Sequence, residues 1–200
     1  MFSRNQFFWQ NLAIVGLLSA CGAGKDSDTG DTGDTGDTGQ SENILVQGIH
    51  QQLSNSSGCG DIAMVASTGN DQAALFIVAT GLAEEAYAEG TESSSFSLDV
   101  GQAEGQARLW LQGGERLTVE FCNDVIMEEY RPDVQEEMPA ISGSIDFVIH
   151  PSGEATDWGE FPANATVELH NVVFSLEESD ASPITVDGWG FESYVGWFPG

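Results

Sequence analysis

Basic residues are scarce in this sequence. Five Lys and Arg stand against 32 Asp and Glu among 200 residues, which gives a formal net charge of −27. Proteins that bind a phosphate backbone draw their affinity from Lys and Arg, so this balance excludes nucleic acid as a partner. Forty per cent of the residues are hydrophobic, which is enough for a folded core and argues against a chain that is disordered throughout.

Cysteine is also scarce, with Cys21, Cys59 and Cys122 as the three in the chain. Three are too few for a disulfide-dense miniprotein, and none forms the CxxC pair of a structural zinc site. The G-x-S-x-G, P-loop, H-E-x-x-H and dinucleotide-binding motifs are missing as well. Because no catalytic motif is present, we expect a protein that is not an enzyme.

No apolar run is long enough to cross a membrane. The clearest one, Leu12–Ala20, would extend about 14 Å as a helix, against about 30 Å of hydrocarbon. Arg4 precedes this run, and the run ends in small residues, which is the pattern of a secretory signal peptide. We therefore predict a signal peptide over residues 1–20.

The end of this run resembles a lipobox, the modification signal of bacterial lipoproteins. Leu18-Ser19-Ala20-Cys21 has a branched apolar residue, two small residues and then cysteine. The resemblance implies cleavage before Cys21 and the attachment of palmitate-type acyl chains to its sulfur and to the new amino group. Two or more acyl chains anchor a protein stably to a membrane. Gly22, which is not Asp, implies sorting to the outer membrane. An ordinary signal peptide with a chance cysteine is the alternative.

Residues 21–43 have the composition of a tether. Four Asp-Thr-Gly triplets follow one another over residues 28–39, without any apolar residue between them. The same triplet surrounds the catalytic Asp of aspartic proteases, but that chemistry requires two carboxylates in a dry cleft. A repetitive, acidic and Gly-rich segment cannot bury enough surface to fold, and a coil of this length spans about 25 Å. We expect it to hold the folded domain away from the bilayer.

Residues 44–200 are predicted to form one domain with its own core. Apolar residues alternate with polar ones, as at Phe96 and Leu98, which is typical of antiparallel strands with one wet face. A helix is predicted at Leu82–Glu89 with Gly90 as its C-cap, and a tight turn at Gln112–Glu115. This pattern indicates an all-β fold, an antiparallel β-sandwich of immunoglobulin-like or jelly-roll type. The nine predicted strands lie near residues 44–52, 61–68, 72–80, 94–100, 106–111, 117–122, 142–150, 164–175 and 183–197.

Cys59 and Cys122 are predicted to form a disulfide, because an exported protein meets an oxidising compartment. A nucleophilic thiol is the alternative, but it needs a nearby His that the spacing does not indicate. A simple up-and-down meander would place the two cysteines at opposite ends of the sheet. The disulfide therefore requires a connection that does not reverse the chain, and residues 81–93 are the candidate crossover.

The acidic residues of the domain form two groups along the chain. From residue 44 onwards, 26 acidic residues stand against three arginines. Carboxylates that converge without basic partners repel each other unless a cation or water lies between them. If 142–150 and 164–175 form a hairpin, both groups lie at one end of the sheet. They are then candidates for a Ca²⁺ site, with a solvated acidic rim as the alternative. The groups are Glu128, Glu129, Asp133, Glu136 and Glu137, and Glu177, Glu178 and Asp180.

A pair of histidines and a group of aromatic residues are two further candidate binding sites. His150 and His170 lie on predicted neighbouring strands and would share a zinc ion if they were close, although no third ligand is evident. Large aromatic residues are concentrated near the C-terminus. They either close the core or form an exposed platform that stacks a sugar ring or a partner. These residues are Trp189, Phe191, Tyr194, Trp197 and Phe198.

The combination of lipobox, Asp-Thr-Gly spacer and two-cysteine β domain resembles acidic surface lipoproteins of myxobacterial type. The resemblance implies location and fold, and it provides no catalytic residues. We expect a membrane-anchored envelope protein whose domain is a binding or structural module for a protein or glycan ligand, without a cofactor. The alternatives are a Ca²⁺-dependent adhesive or carbohydrate-binding domain, and an envelope hydrolase that uses a pair of carboxylates.

Overall fold

The computed structural model describes residues 43–101, 107–123, 128–176 and 181–198. This part of the chain is mostly antiparallel β-strand with one α-helix, α1, at Leu82–Glu89. Short 3-10 helices lie at Ile49–Gln52 and Glu128–Tyr130. The strands are β1 (Leu53–Cys59), β2 (Ile62–Thr68), β3 (Ala73–Ala79), β4 (Ser94–Asp99), β5 (Ala107–Glu115), β6 (Asp133–Pro151), β7 (Ala163–Phe174), β8 (Ile184–Val186) and β9 (Trp189–Val195).

The long strand β6 joins the two halves of the sheet. Its first half pairs with β5, and its second half lies between β4 and β7. A bulge between Ser142 and Ser144 bends the strand. Gly143 within the bulge has a φ of 115°, and a Cβ there would lie 2.6 Å from the Cα of Val172. The strands therefore form one curled sheet in the order β1-β2-β3-β5-β6-β7-β8, with β4 on β6 and β9 on β7.

The curl brings β1 and β9 side by side. The Oγ of Ser56 donates to the carbonyl oxygen of Glu192 at 2.9 Å. Further along both strands, the N–H of Gly60 donates to Trp197 O at 2.7 Å, and the N–H of Gly196 donates to Gly60 O at 2.6 Å. Because these contacts advance in the same direction on both strands, β1 and β9 run parallel here. We call this junction the β1/β9 seam.

The inner face of the curled sheet carries the core, and both of its ends are covered. At one end, where β1, β6 and β9 finish, α1 packs Leu82, Ala83 and Ala86 into the core. We call this the helix end. At the other end, which we call the N-terminal end, Leu45 and Ile49 fill the opening. The largest fully buried side chains include Phe147, Phe174, Leu75, Ile77, Leu111, Ile145 and Leu169.

Side-chain hydrogen bonds hold α1 at the helix end and the Leu45–Ile49 segment at the N-terminal end. At the helix end, the Asp61 carboxylate accepts bonds from the backbone N–H of Gly81 and, at 3.0 Å, of Ala83. These N–H groups at the start of α1 have no partner within the helix, and a carboxylate also suits the helix dipole. At the N-terminal end, the Gln47 amide bonds both backbone groups of Thr185 on β8, at 2.9 and 3.1 Å.

A second, smaller hydrophobic cluster, which we call the outer cluster, covers the outer face of β2, β3 and β5. Val65, Ala74 and Phe76 point away from the main core and are buried by Leu117 and Phe121. Residues 116–122 form turns that cross this face after β5 ends. The predicted disulfide between Cys59 and Cys122 is present, with 5.7 Å between the Cα atoms, and it holds this segment against the end of β1.

Most of the predicted elements are confirmed. The helix has the predicted bounds, and Gly90 caps it with a φ of 65°. The connection through 81–93 leads from β3 to β4 beside β6, but it reverses the chain, because β3 ends and β4 begins at the helix end. The prediction that this segment does not reverse the chain is therefore wrong, and it is β4 and β5 that run in the same direction. The all-β class is correct. A β-sandwich is not confirmed, because β6 belongs to both halves of one curled sheet.

Four local predictions are wrong. The single strand predicted over 183–197 is two strands, β8 and β9, which pair with different parts of β7. Residues 44–52 are turns and a 3-10 helix, since Leu45 and Ile49, four positions apart, both point inward to fill the N-terminal end. Residues 117–122 are turns as well, because Leu117 and Phe121, also four positions apart, both pack into the outer cluster. Gln112–Glu115 belongs to β5 rather than to a turn, and Gly113 and Gly114 mark a bulge against β6.

No helix in the described ranges has both the length and the apolar character needed to span a membrane.

Candidate ligand-binding groove

A groove of about 740 Å³ lies on the β1/β9 seam, toward the helix end of the sheet. It crosses three neighbouring strands, because β9 lies between β1 and β7. Five of the eight described lining residues are serine, asparagine or glutamate, two are aromatic and one is glycine. They are Ser56, Ser57, Gly58, Asn164, Glu192, Ser193, Tyr194 and Trp197.

Strand alternation places Glu192, Tyr194 and Asn164 of the groove on the outside of the sheet. Along β9, Val195 is buried, whereas Glu192 and Tyr194 are exposed. Tyr194 lies opposite Asn164 in the β7–β9 register, so the phenol ring and the amide are neighbours on the same face. The groove is therefore built on hydrogen-bonded strands, which fix the positions of its side chains.

Gly58 forms the point of closest approach between β1 and β9. A Cβ at this position would lie 2.7 Å from Tyr194 O and 2.8 Å from the Cγ1 of Val195, so only glycine fits without displacement. The indole Nε1 of Trp197 donates to Gly58 O at 3.0 Å. This bond fixes the plane of the indole ring at the wall of the groove.

A structured turn beside the groove presents an exposed tryptophan. Trp158 lies between β6 and β7 with 88 % of its surface exposed. Thr156 and Glu160 close the turn through two bonds, Thr156 N to Glu160 O at 3.0 Å and Glu160 N to Thr156 Oγ1 at 3.1 Å. The Glu160 carboxylate also accepts from the N–H of Phe198 at 3.2 Å, which ties the turn to the residue after Trp197.

The base of the same turn is attached to α1. The Tyr87 hydroxyl donates to Pro162 O at 2.5 Å, and its ring lies 5.6 Å from that of Phe161. Burial raises the pKa of the Tyr87 phenol above its usual range, and the nearby Tyr194 acts in the same direction. The Tyr87 hydroxyl therefore stays protonated and remains a hydrogen-bond donor.

The groove contains one acidic residue and no basic one. Among its eight lining residues only Glu192 is charged at neutral pH. Arg131, one of the three arginines after residue 44, lies instead beside Glu128 at 2.7 Å on an exposed surface. An anionic ligand would therefore find no counter-charge among the groove's lining residues and would meet the acidic field of the domain.

The C-terminal aromatic residues are divided between the two predicted roles. Trp189 and Phe191 pack against the core, with 5.5 Å between their ring centroids. Tyr194 and Trp197 instead line the groove, and Phe198 is exposed. Core closure is therefore confirmed for Trp189 and Phe191, whereas Tyr194 and Phe198 are exposed and Trp197 lies in the wall of the groove.

Three residues of the first acidic group lie on a strand and do not converge into a calcium site. Asp133, Glu136 and Glu137 belong to β6, where adjacent residues point to opposite faces. Glu136 accepts a bond from Leu45 N at 3.0 Å, and Glu137 accepts one from the Gln112 amide at 2.6 Å. These carboxylates are therefore separated by the strand geometry.

The two other members of this group, Glu128 and Glu129, lie in the exposed 3-10 helix before β6. Within the described ranges, no three His, Cys, Asp or Glu side chains lie close enough to hold a metal ion. Glu177, Glu178 and Asp180 lie outside the described residues, as does the predicted lipid-attachment residue Cys21.

The histidines do not form the hypothesised zinc pair. His150 lies opposite Asn164 and His170 opposite Ser144, so six positions separate the two histidines along β6 and β7, a distance of roughly 20 Å. His170 Nε2 instead lies 3.1 Å from an Asp146 oxygen.

The third histidine, His50, is buried at the N-terminal end with 8 % of its surface exposed. Its ring packs edge-on against that of Trp189, with 6.0 Å between the centroids. Burial lowers the pKa of His50, because the charged imidazolium would lose its hydration there. His50 is therefore a neutral residue of the interior.

Comparison of this chain with protein-family models, with curated proteins and with solved structures finds no match.

Sequence reasoning identified only the aromatic part of the groove. Ser56, Ser57 and Asn164 were missed, because single polar residues on strands carry no motif. Trp158 was also missed, although its position between Asp157 and Gly159 is a signal for an exposed turn that sequence reasoning could have used.

Proposed function

We propose that this chain is a lipid-anchored protein of a bacterial cell envelope that displays its curled β domain as a binding module. In this proposal Cys21 carries the acyl chains and residues 22–43 are the tether. The anchor part of the proposal rests on the resemblance of Leu18–Cys21 to a lipobox.

The groove on the β1/β9 seam is the observation that carries the binding role. Its volume lies within the range of about 300–1,000 Å³ found for small-molecule sites. The domain begins at its N-terminal end, where Leu45 and Ile49 fill the sheet, and the groove lies toward the opposite, helix end. A tether that enters at the N-terminal end leaves the groove on the side away from the attachment point.

The chemistry of the groove favours binding over hydrolysis. A glycosidase needs two carboxylates about 5–10 Å apart, one of them as the acid. Among the residues that the structure describes, Glu192 is the only carboxylate that lines the groove. The remaining lining groups are hydroxyls, an amide and aromatic rings, which serve recognition.

Fractionation of cells that express the full chain tests the anchor. The wild-type protein should sediment with membranes and incorporate labelled palmitate, whereas Cys21→Ser should appear in the soluble fraction without label. Ser19→Ala is the matched control, because it keeps a small residue before the cysteine and should behave as wild type. Retention of Cys21→Ser in the membrane fraction would disprove the anchor.

A further inference from the structure

We infer that the groove binds an uncharged oligosaccharide whose chain extends past Trp197 toward Trp158; this inference rests on the proposed binding function. Three features of the described residues support this inference. They are the chemical groups that line the groove, the absence of basic residues from that lining, and the hydrogen bonds that the backbone already makes along the seam.

The lining offers both kinds of contact that a sugar ring needs. A sugar has hydroxyls around its edge and apolar C–H groups on its faces. Asn164, Glu192 and Ser57 provide donors and acceptors. Tyr194 and Trp197 provide flat aromatic surfaces beside them, and aromatic rings combine a large apolar area with a polar tip.

The charge of the domain selects an uncharged ligand. The groove has Glu192 and no basic residue, and the surrounding domain has 26 acidic residues against three arginines. Sulfated, phosphorylated or uronic acid-rich glycans would be repelled at low salt. A neutral sugar is unaffected by this field and accepts hydrogen bonds from amide and hydroxyl groups alike.

The backbone of the seam argues against a peptide ligand. Extended peptides bind to sheets by pairing with the free N–H and C=O groups of an edge strand. Here Glu192 O accepts from Ser56, and Gly58 O accepts from Trp197. Both backbone groups of Gly60 are bonded to residues 196 and 197. A strand added in the groove would find these backbone groups already occupied.

Trp158 extends the site beyond the groove. The Thr156–Glu160 bonds close its turn, and the Glu160–Phe198 bond attaches the turn to the chain next to Trp197. A large aromatic side chain that is 88 % exposed on a hydrogen-bonded turn is placed for stacking. We therefore expect longer oligosaccharides to contact both Trp197 and Trp158.

The test is binding of the detergent-solubilised full chain to an array of uncharged, amine-bearing and anionic glycans, followed by calorimetry on the uncharged glycans that bind. We expect uncharged chains to bind, with an affinity that changes little between 50 and 500 mM NaCl. Tyr194→Ala should weaken binding about 3- to 10-fold, the size of a lost aromatic contact. Tyr194→Phe, which keeps the ring, should stay within about 2-fold of wild type.

Tyr130→Ala is the matched control. Tyr130 is 48 % exposed and Tyr194 is 46 % exposed, but Tyr130 lies in the 3-10 helix before β6, outside the groove. This variant should bind as wild type. Trp158→Ala should weaken binding of a hexasaccharide and leave binding of a disaccharide unchanged.

The outcomes separate this inference from the proposed function. Absence of any uncharged glycan among the binders overturns the inference, while membrane anchoring through Cys21 is judged by its own experiment. Binding of amine-bearing glycans alone, with loss at high salt, also overturns it and indicates a cationic ligand. Uncharged binding that Tyr194→Ala leaves intact places the site elsewhere on the domain.

Discussion

The indole nitrogen of Trp197 donates a hydrogen bond to the carbonyl oxygen of Gly58 at 3.0 Å, across 139 positions of sequence. This bond joins the second residue after the last strand to the first strand of the sheet. It closes the curl and shapes the groove at the same time, because both residues line it. Stability of the seam and the geometry of the candidate site therefore depend on the same contact.

Gly58→Ala should destabilise the domain. The new Cβ would lie 2.7 Å from Tyr194 O and 2.8 Å from Val195 Cγ1, so β1 and β9 would have to move apart. Overpacking of this kind costs about 1–3 kcal/mol of unfolding free energy. Urea unfolding monitored by tryptophan fluorescence measures the loss.

Gly69→Ala is the control for this substitution. Gly69 lies in the turn between β2 and β3, and a Cβ there meets no heavy atom within 4 Å. The variant should have the urea midpoint of the wild type within error. If Gly58→Ala were equally neutral, the seam would be looser than the described contacts require.

The elements that the sequence predicted well are those whose side chains alternate between core and solvent or follow a helical period. β4 and α1 are examples, since Phe96 and Leu98 alternate with serines and Leu82, Ala83 and Ala86 share a helix face. In these segments the local pattern and the tertiary burial agree, so the sequence alone was sufficient.

β1 and the groove could not be predicted in this way. The sequence of β1, Leu-Ser-Asn-Ser-Ser-Gly-Cys, has no apolar alternation, because four of its residues face solvent or the seam. It becomes a strand through pairing with β2 and contact with β9. The Ser56–Glu192 bond spans 136 positions, and no local pattern reports a partner at that distance.

Removal of the disulfide should destabilise the domain and uncover the outer cluster. Cys59 and Cys122 are 63 positions apart, and closing a loop of that size contributes up to about 4 kcal/mol on the chain-entropy model. The pair also holds residues 116–122 over Phe76 and Trp110, whose rings are stacked at 5.4 Å. Reduction should lower the thermal midpoint and increase quenching of Trp110 by iodide.

A Cys59→Ala/Cys122→Ala variant, unaffected by reductant, serves as the reference for that experiment. In a Trp110→Phe background the increase in quenching should disappear, which assigns the signal to the outer cluster. A wild-type protein whose midpoint is the same with and without reductant would show that this disulfide does not stabilise the domain.

His50 should make the free energy of unfolding depend on pH below about pH 6.5. Burial lowers its pKa below the ordinary value of 6.5, so the unfolded chain binds a proton that the folded domain excludes. The stabilising contribution is present above pH 6.5 and is lost as pH falls, by at most about 1.4 kcal/mol per pH unit. Urea unfolding at several pH values should show this loss in wild type and less of it in His50→Gln.

His150→Gln provides the comparison, because His150 is exposed on β6. It should keep the pH dependence of the wild type. The difference in pH slope between the two variants then gives the contribution of the buried imidazole, separate from that of the carboxylates. A His50→Gln variant with the same pH slope as wild type would assign the slope to other groups.

Calcium should stabilise the domain only as a screening ion. Asp133, Glu136 and Glu137 are kept apart by β6, and Glu136 and Glu137 already accept hydrogen bonds from Leu45 and Gln112. Their mutual repulsion is relieved by any divalent ion. CaCl2 and MgCl2 at equal concentration after EDTA treatment should therefore raise the thermal midpoint of the full chain by the same amount, without saturation.

A specific site filled at 100 times its Kd would instead add about 2.7 kcal/mol, or several degrees. A saturable rise that Mg²⁺ does not reproduce would contradict this prediction. Comparison of Glu136→Gln with a Glu177→Gln/Glu178→Gln variant would then show which acidic group supplies the ligands.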